Sequence, residues 1–119
     1  MKMINVIVVP ENDNFKIDVS YRNIVGIDKN IGIPNLEQQN AKYLAPYWLS
    51  KDFKGVNRIY HIEGFDSKTN EIKLGNSFIL KNSWNQMGNH RKFEYHSLES
   101  FNFVEVNEGY LILESYNVK

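Results

Sequence analysis

Apolar residues in this chain recur in short runs or with period two, and almost nowhere with the period of a helix, so the pattern predicts strands. Ile4–Val9 is a nearly continuous β-branched run stopped by Pro10, which suits a central strand buried on both faces. After a polar turn at Glu11–Asn14, Phe15–Val19 alternates apolar and polar and fits either a short strand or one turn of helix. Tyr21–Ile27 is a further β-rich piece, and a loop punctuated by Gly32 and Pro34 runs to Asn40, with a helical turn at Leu36–Gln39. Two longer strands follow at Lys42–Leu49 and Val56–Phe65, joined by the basic connection Ser50–Gly55. Pro46 interrupts the first of these, and a residue without an N–H belongs at a sheet edge or a bulge.

Glu71–Leu74 forms a hairpin with Val56–Phe65, Gly75-Asn76 breaks it, and Ser77–Leu80 resumes an apolar run. Lys81–His90 has no periodicity and reads as a loop that carries Trp84 and Met87. Arg91–Tyr95 mixes basic, aromatic and acidic residues, Ser97 caps a single helical turn through Phe101, and Asn107–Gly109 turns the chain into a last strand, Tyr110–Tyr116. Short strands, frequent turns and little helix predict a mainly β (α+β) fold: a small pseudo-barrel of five to seven strands with one to three short helices. No linker, repeat or low-complexity segment divides residues 1–119, so a single domain is expected.

Composition narrows the chemistry. Lys+Arg and Asp+Glu are both 14, so binding to a polyanion has to come from a local patch rather than from net charge. Cysteine is absent, which removes disulfides, thiolate nucleophiles and Cys-based metal sites and fits a reducing cytoplasm. The opening apolar run is too short for a signal-peptide core, and no stretch approaches the roughly 20 apolar residues of a membrane span, so a soluble cytoplasmic chain is expected, with no membrane partner.

The candidate site residues lie around the two longer strands and the segment after Leu80. Tyr43, Tyr47, Trp48 and Trp84 offer stacking faces, with core packing the competing use for Tyr43 and Tyr47. Lys51, Lys54, Arg58, His90, Arg91 and Lys92 form two basic clusters that would make a phosphate-positioning rim if the two loops meet; the competing reading is a solvated face balanced by Asp52, Glu63 and Glu94. Arg58 and Arg91, inside strand-like runs, are the better placed for bidentate contact. His61, His90 and His96 have neither the i, i+4 spacing nor the Cys neighbours of a metal site, and no catalytic or cofactor fingerprint is present. No catalytic residue, cofactor or metal is therefore assigned.

The series K-Y-L-A-P-Y-W from Lys42, G-V-N-R-I-Y-H-I from Gly55, N-E-I-K-L-G from Asn70 and R-K-F-E-Y-H-S-L-E-S-F from Arg91 resembles the PUA-like superfamily of small β-barrels, and within it the EVE and ASCH groups of bacterial defence and mobile-element settings. The resemblance spans about residues 5–101. It implies a pseudo-barrel that binds nucleic acid, DNA or RNA, in several branches holding a flipped or modified base in an aromatic pocket. Two alternatives stand beside it: a phage or mobile-element factor that binds a protein of a host defence complex, and a small ASCH-like hydrolase using His61 or His96 beside a carboxylate. The Pro46 edge and an exposed Trp84 also leave room for a homodimer.

Overall fold

The computed structural model describes residues 3–107 and 109–113. Its strands are β1 Asn5–Pro10, β2 Phe15–Asp18, β3 Ile24–Ile27, β4 Ala41–Leu49, β5 Lys54–Asp66, β6 Glu71–Trp84, β7 Glu94–Ser97, β8 Phe103–Asn107 and β9 Tyr110–Leu113, with one 3₁₀ turn at Leu98–Phe101. The chain is mainly β, as its pattern predicts, with nine strands among the described residues where five to seven are expected. Seven form one mixed sheet in the order β2-β3-β6-β5-β4-β1-β7, and β8 and β9 pair separately. All neighbours are antiparallel except β1 and β4, which run parallel. A parallel pair needs a long crossover. Here β2, β3 and the loop after them supply it.

Two hydrophobic clusters lie on opposite faces of this sheet. Val6 and Val8 of β1 join Tyr43, Tyr47, Ile59, Trp84, Phe101 and Phe103 on one face, whereas Ile7 and Val9 join Leu44, Val25, Ile27, Ile72 and Leu74 on the other. All four β1 residues are fully buried, so its unbroken β-branched run serves both cores, each side chain contributing about 1.5–3 kcal/mol.

β4 lies inside the sheet, between β1 and β5, so the edge expectation for Pro46 is corrected, while the expected irregularity is present. Tyr47 turns its carbonyl towards β1, accepting from the Glu11 amide at 2.9 Å, which points the neighbouring Pro46 nitrogen towards β5. There the ladder is interrupted between Leu44 and Trp48, so no donor is missed.

β6 needs a larger correction, because it runs unbroken from Glu71 to Trp84. Gly75-Asn76 is a bulge rather than a break: Tyr60 pairs with Ser77 and Ile62 with Leu74, leaving two β6 residues opposite His61 alone. A wider bulge follows, since Arg58 pairs with Ile79 and Val56 with Trp84, so that Leu80–Ser83 stand opposite Asn57. Lys81, Asn82 and Ser83 are consequently all exposed, which erases the period of two, and Trp84 re-enters the ladder on the core side.

The remaining differences are local. β3 starts at Ile24 because the Asp18 carboxylate accepts from the amides of Tyr21 and Arg22 and turns the chain out of the sheet. Leu36–Gln39 makes a turn closed by the Ala41 amide on the Leu36 carbonyl, without a helix. Ser97 precedes the 3₁₀ turn as expected, although its hydroxyl meets Ser100 rather than a backbone amide. Residues 114–116 of the last strand and Glu108 of the turn before it lie outside the described residues. Among the described residues no helix is long and apolar enough to cross a membrane.

Candidate binding surface

Three segments distant in sequence meet at one end of the sheet: the turn after β1, the β4–β5 turn, and residues 85–93 between β6 and β7. Glu11 holds the first two together, its amide donating to Tyr47 and its carboxylate accepting from the Leu49 amide at 3.1 Å. The Asn12 side-chain amide donates to the His90 carbonyl at 2.8 Å, and the His90 ring lies over Tyr47 at 5.1 Å with a tilt of 30°. Gly55 closes the joint between β5 and the end of β6. With φ at +131° and room for a Cβ only 2.7 Å from the Trp84 carbonyl oxygen, that position requires glycine. Lys51 and Lys54 thus share one end of the sheet with His90, Arg91 and Lys92.

Short polar contacts shape each loop. The Ser50 hydroxyl bonds both the amide and the carbonyl of Phe53, presenting Lys51 at the tip of the β4–β5 turn with Lys54 just beyond. Asn89 accepts from the Arg91 amide at 2.9 Å, and Glu94 accepts from the amides of Gly88 and Asn89 and lies 2.9 Å from His96 Nε2. Burial pushes the Glu94 carboxyl up, but the His96 contact and the two amides outweigh it, so the group sits below the ordinary carboxylate range.

Lys51, Lys54, His90, Arg91 and Lys92 are exposed. The ion pairs among the described residues are His61 with Glu63 at 3.9 Å and His96 with Glu94, and no Lys or Arg takes part in one. Two carboxylates at this end are already engaged, Glu11 with a backbone amide and Glu94 with two amides and a histidine. Asp52 on the β4–β5 turn and Asp13 on the turn after β1 stay exposed.

The structure separates the other residues chosen from the sequence. Tyr43, Tyr47 and Trp84 are 0%, 4% and 5% exposed and belong to one hydrophobic cluster, so they offer no open ring face; the reading of Trp84 as a loop residue in reach of ligand is corrected by its place at the end of β6. Trp84 stacks on Phe101 at 4.6 Å and meets Tyr47 edge-on. Tyr43 donates to Glu105 at 2.5 Å and packs against His61 and Phe78. Trp48 alternates to the opposite face of β4 from Tyr47 and keeps part of its surface exposed. Lys54, His90 and Arg91 join the basic end. Arg58 lies apart, its guanidinium donating to Ser77 Oγ at 2.6 Å. Sequence reasoning missed Glu11, Asn12 and Ser50, which position the loops, and read Glu94 only as a counter-charge. Asn12 and Ser50 carry the only signal, as turn-forming residues beside strand ends.

Among the described residues no group of His, Asp and Glu is placed to hold a metal ion. His61 and His96 each have a carboxylate neighbour, and Ser97, the hydroxyl nearest in sequence to His96, is bonded to Ser100. What this end of the sheet is built to do is present cations on braced loops. Comparison with protein-family models, with curated proteins and with solved structures finds nothing that matches this chain.

Proposed function

We propose that the chain is a non-catalytic binding module that follows the phosphate backbone of a nucleic-acid strand with the basic end of its sheet. The observation that carries this reading is that Lys51, Lys54, Arg91 and Lys92 are exposed at one end with no carboxylate partner among the described residues, while Glu11 and Glu94 nearby are held by amides and a histidine. Such cations gain from displacing the counterions of a polyanion. The resemblance to PUA-like domains points the same way. With Tyr43, Tyr47 and Trp84 in the core, contact with bases falls to Trp48, and phosphate contact dominates over base stacking.

The double variant R91Q/K92Q tests this. Removing two phosphate contacts lowers affinity for a fluorescent single-stranded oligonucleotide about 20-fold near 0.1 M salt, with thermal stability unchanged because both side chains are exposed. Equal affinity in the variant contradicts the reading. The second reading, a protein-interaction factor, has one observation in its favour, an apolar groove beside an open strand edge that Arg91 does not line.

A further inference from the structure

The two ends of the seven-stranded sheet are blunted. β2 and β7 are four residues long and carry Lys16 and Asp18, and Glu94 and His96, the short charged edges with which proteins avoid unwanted pairing. β6 is different. β3 pairs with it only at Glu71–Lys73, and Asn23 extends the contact to Leu74 and Gly75 before the β3 chain turns away. Beyond that point no described strand pairs with the outer edge of β6. The stretch from Asn76 to Leu80 has no charged residue and includes Ile79, 64% exposed.

A groove of about 420 Å³ runs beside this edge, lined by Ser77, Phe78 and Ile79 from β6, Leu111, Ile112 and Leu113 from β9, with Phe103 and Arg58 completing it. Three consecutive residues from each strand line it. A groove across a sheet face meets alternate residues, so consecutive ones place it along the strand edges. Among the described residues Arg58 is the only charged residue in the lining, Lys81 is the next along β6, and no acid is among them. The Arg58 guanidinium uses one donor on Ser77 and has no ion pair among the described residues.

We infer that this groove takes an extended segment of a partner protein, which adds a strand to the outer edge of β6, seats alternate apolar side chains against Phe78, Phe103 and Leu111, and places a carboxylate on Arg58. Backbone pairing with β6 supplies affinity and the apolar positions supply selection. The acidic preference follows from charge complementarity, since the described lining offers a partly buried cation and no anion. This site stands apart from the basic end and does not depend on it.

The test uses the full chain and two blocked pentapeptides, one alternating valine with aspartate and one alternating valine with lysine, followed by amide hydrogen exchange and NMR titration. The expected result is slowed exchange confined to residues 76–80 and their neighbours, with the aspartate peptide binding at least about tenfold more tightly, a difference of about 1.4 kcal/mol. Ile79→Lys, an exposed change that leaves the fold intact, abolishes binding, and Arg58→Gln erases the preference between peptides. No saturable shift with either peptide up to about 1 mM overturns the inference. So does binding that emerges only after residues 114–119 are deleted, which assigns the groove to the chain's own C-terminal residues, or a dimer that Ile79→Lys dissolves, which assigns it to a second copy. Failure here with normal oligonucleotide binding leaves the basic-end reading intact.

Discussion

Trp84→Ala separates a core role from a ligand-binding role for the residue whose place the sequence leaves most open. Trp84 is 5% exposed, stacks on Phe101 at 4.6 Å, meets His96 at 4.7 Å and Tyr47 at 6.2 Å, and turns its backbone carbonyl against Gly55. Truncation empties the space between the sheet and the 3₁₀ turn, and losses of this kind cost about 3–5 kcal/mol. Set against a total of about 5–15 kcal/mol, that is a large part of the stability. At roughly 3–6 °C per kcal/mol for a chain of this size, Tm falls by about 10–30 °C. Trp84→Phe is the informative companion. The indole N–H finds no hydrogen-bond partner among the described residues, so phenylalanine keeps the stack on Phe101 while removing an unsatisfied donor, at a cost of about 1–2 kcal/mol. Urea titration of the three proteins measures both differences. In a Trp48→Phe background, Trp84 is the only fluorophore of its kind and emits in the blue range of a buried indole. A Trp84→Ala protein within about 1 kcal/mol of the parent would refute the core assignment.

Two further perturbations probe the scaffold. Asn70 is fully buried at φ +58°, and its side-chain amide donates to the carbonyls of Ile27 and Gly32, tying the β5–β6 turn to the crossover loop. Asn70→Ala loses both bonds and strains a left-handed residue, costing about 2–4 kcal/mol by thermal melting, whereas Asn70→Gly keeps the backbone relaxed and costs less. Glu94 has a folded-state pKa below its ordinary value, so its contribution is complete above the unfolded pKa of about 4.3 and is lost as pH falls through the folded value. Glu94→Gln therefore destabilises the protein by about 1–3 kcal/mol at neutral pH, and the gap to the parent closes on acidification; a gap constant with pH contradicts the assignment.

Much of the fold is legible where side-chain period and turn chemistry agree. The run Ile4–Val9, the pair around Ser50–Gly55 and the hairpin of Val56–Phe65 with Glu71–Leu74 all appear as read, because burial on both faces and polar turn residues leave local marks. What stays hidden is non-local. The parallel pairing of β1 with β4 depends on where a 30-residue crossover lands, and no residue of either strand encodes its partner's direction. Bulges hide as well: Lys42 is an extra residue between the pairs Asn5–Ala41 and Val6–Tyr43, and Lys81–Ser83 looks like loop because four residues, Leu80–Ser83, face one. At the candidate site, the basic residues are visible by type, and their convergence rests on Glu11 and Asn12, whose partners are 38 and 78 positions away. The aromatics are equally visible, but a tyrosine or tryptophan suits a core as well as a ligand, and only burial decides between them.

Salt dependence tests the central claim most directly. Four cations, Lys51, Lys54, Arg91 and Lys92, meeting the phosphates of a single strand give a slope of log K against log salt near −2.8, so affinity falls about 50-fold between roughly 50 and 200 mM. Removing Arg91 flattens that slope by about one contact. Fluorescence anisotropy of a labelled single-stranded oligonucleotide across this range supplies the measurement. The predicted result is steep, salt-sensitive binding that each cation removed makes shallower; no binding at the lowest salt, or binding indifferent to salt and to the loss of Arg91, contradicts it.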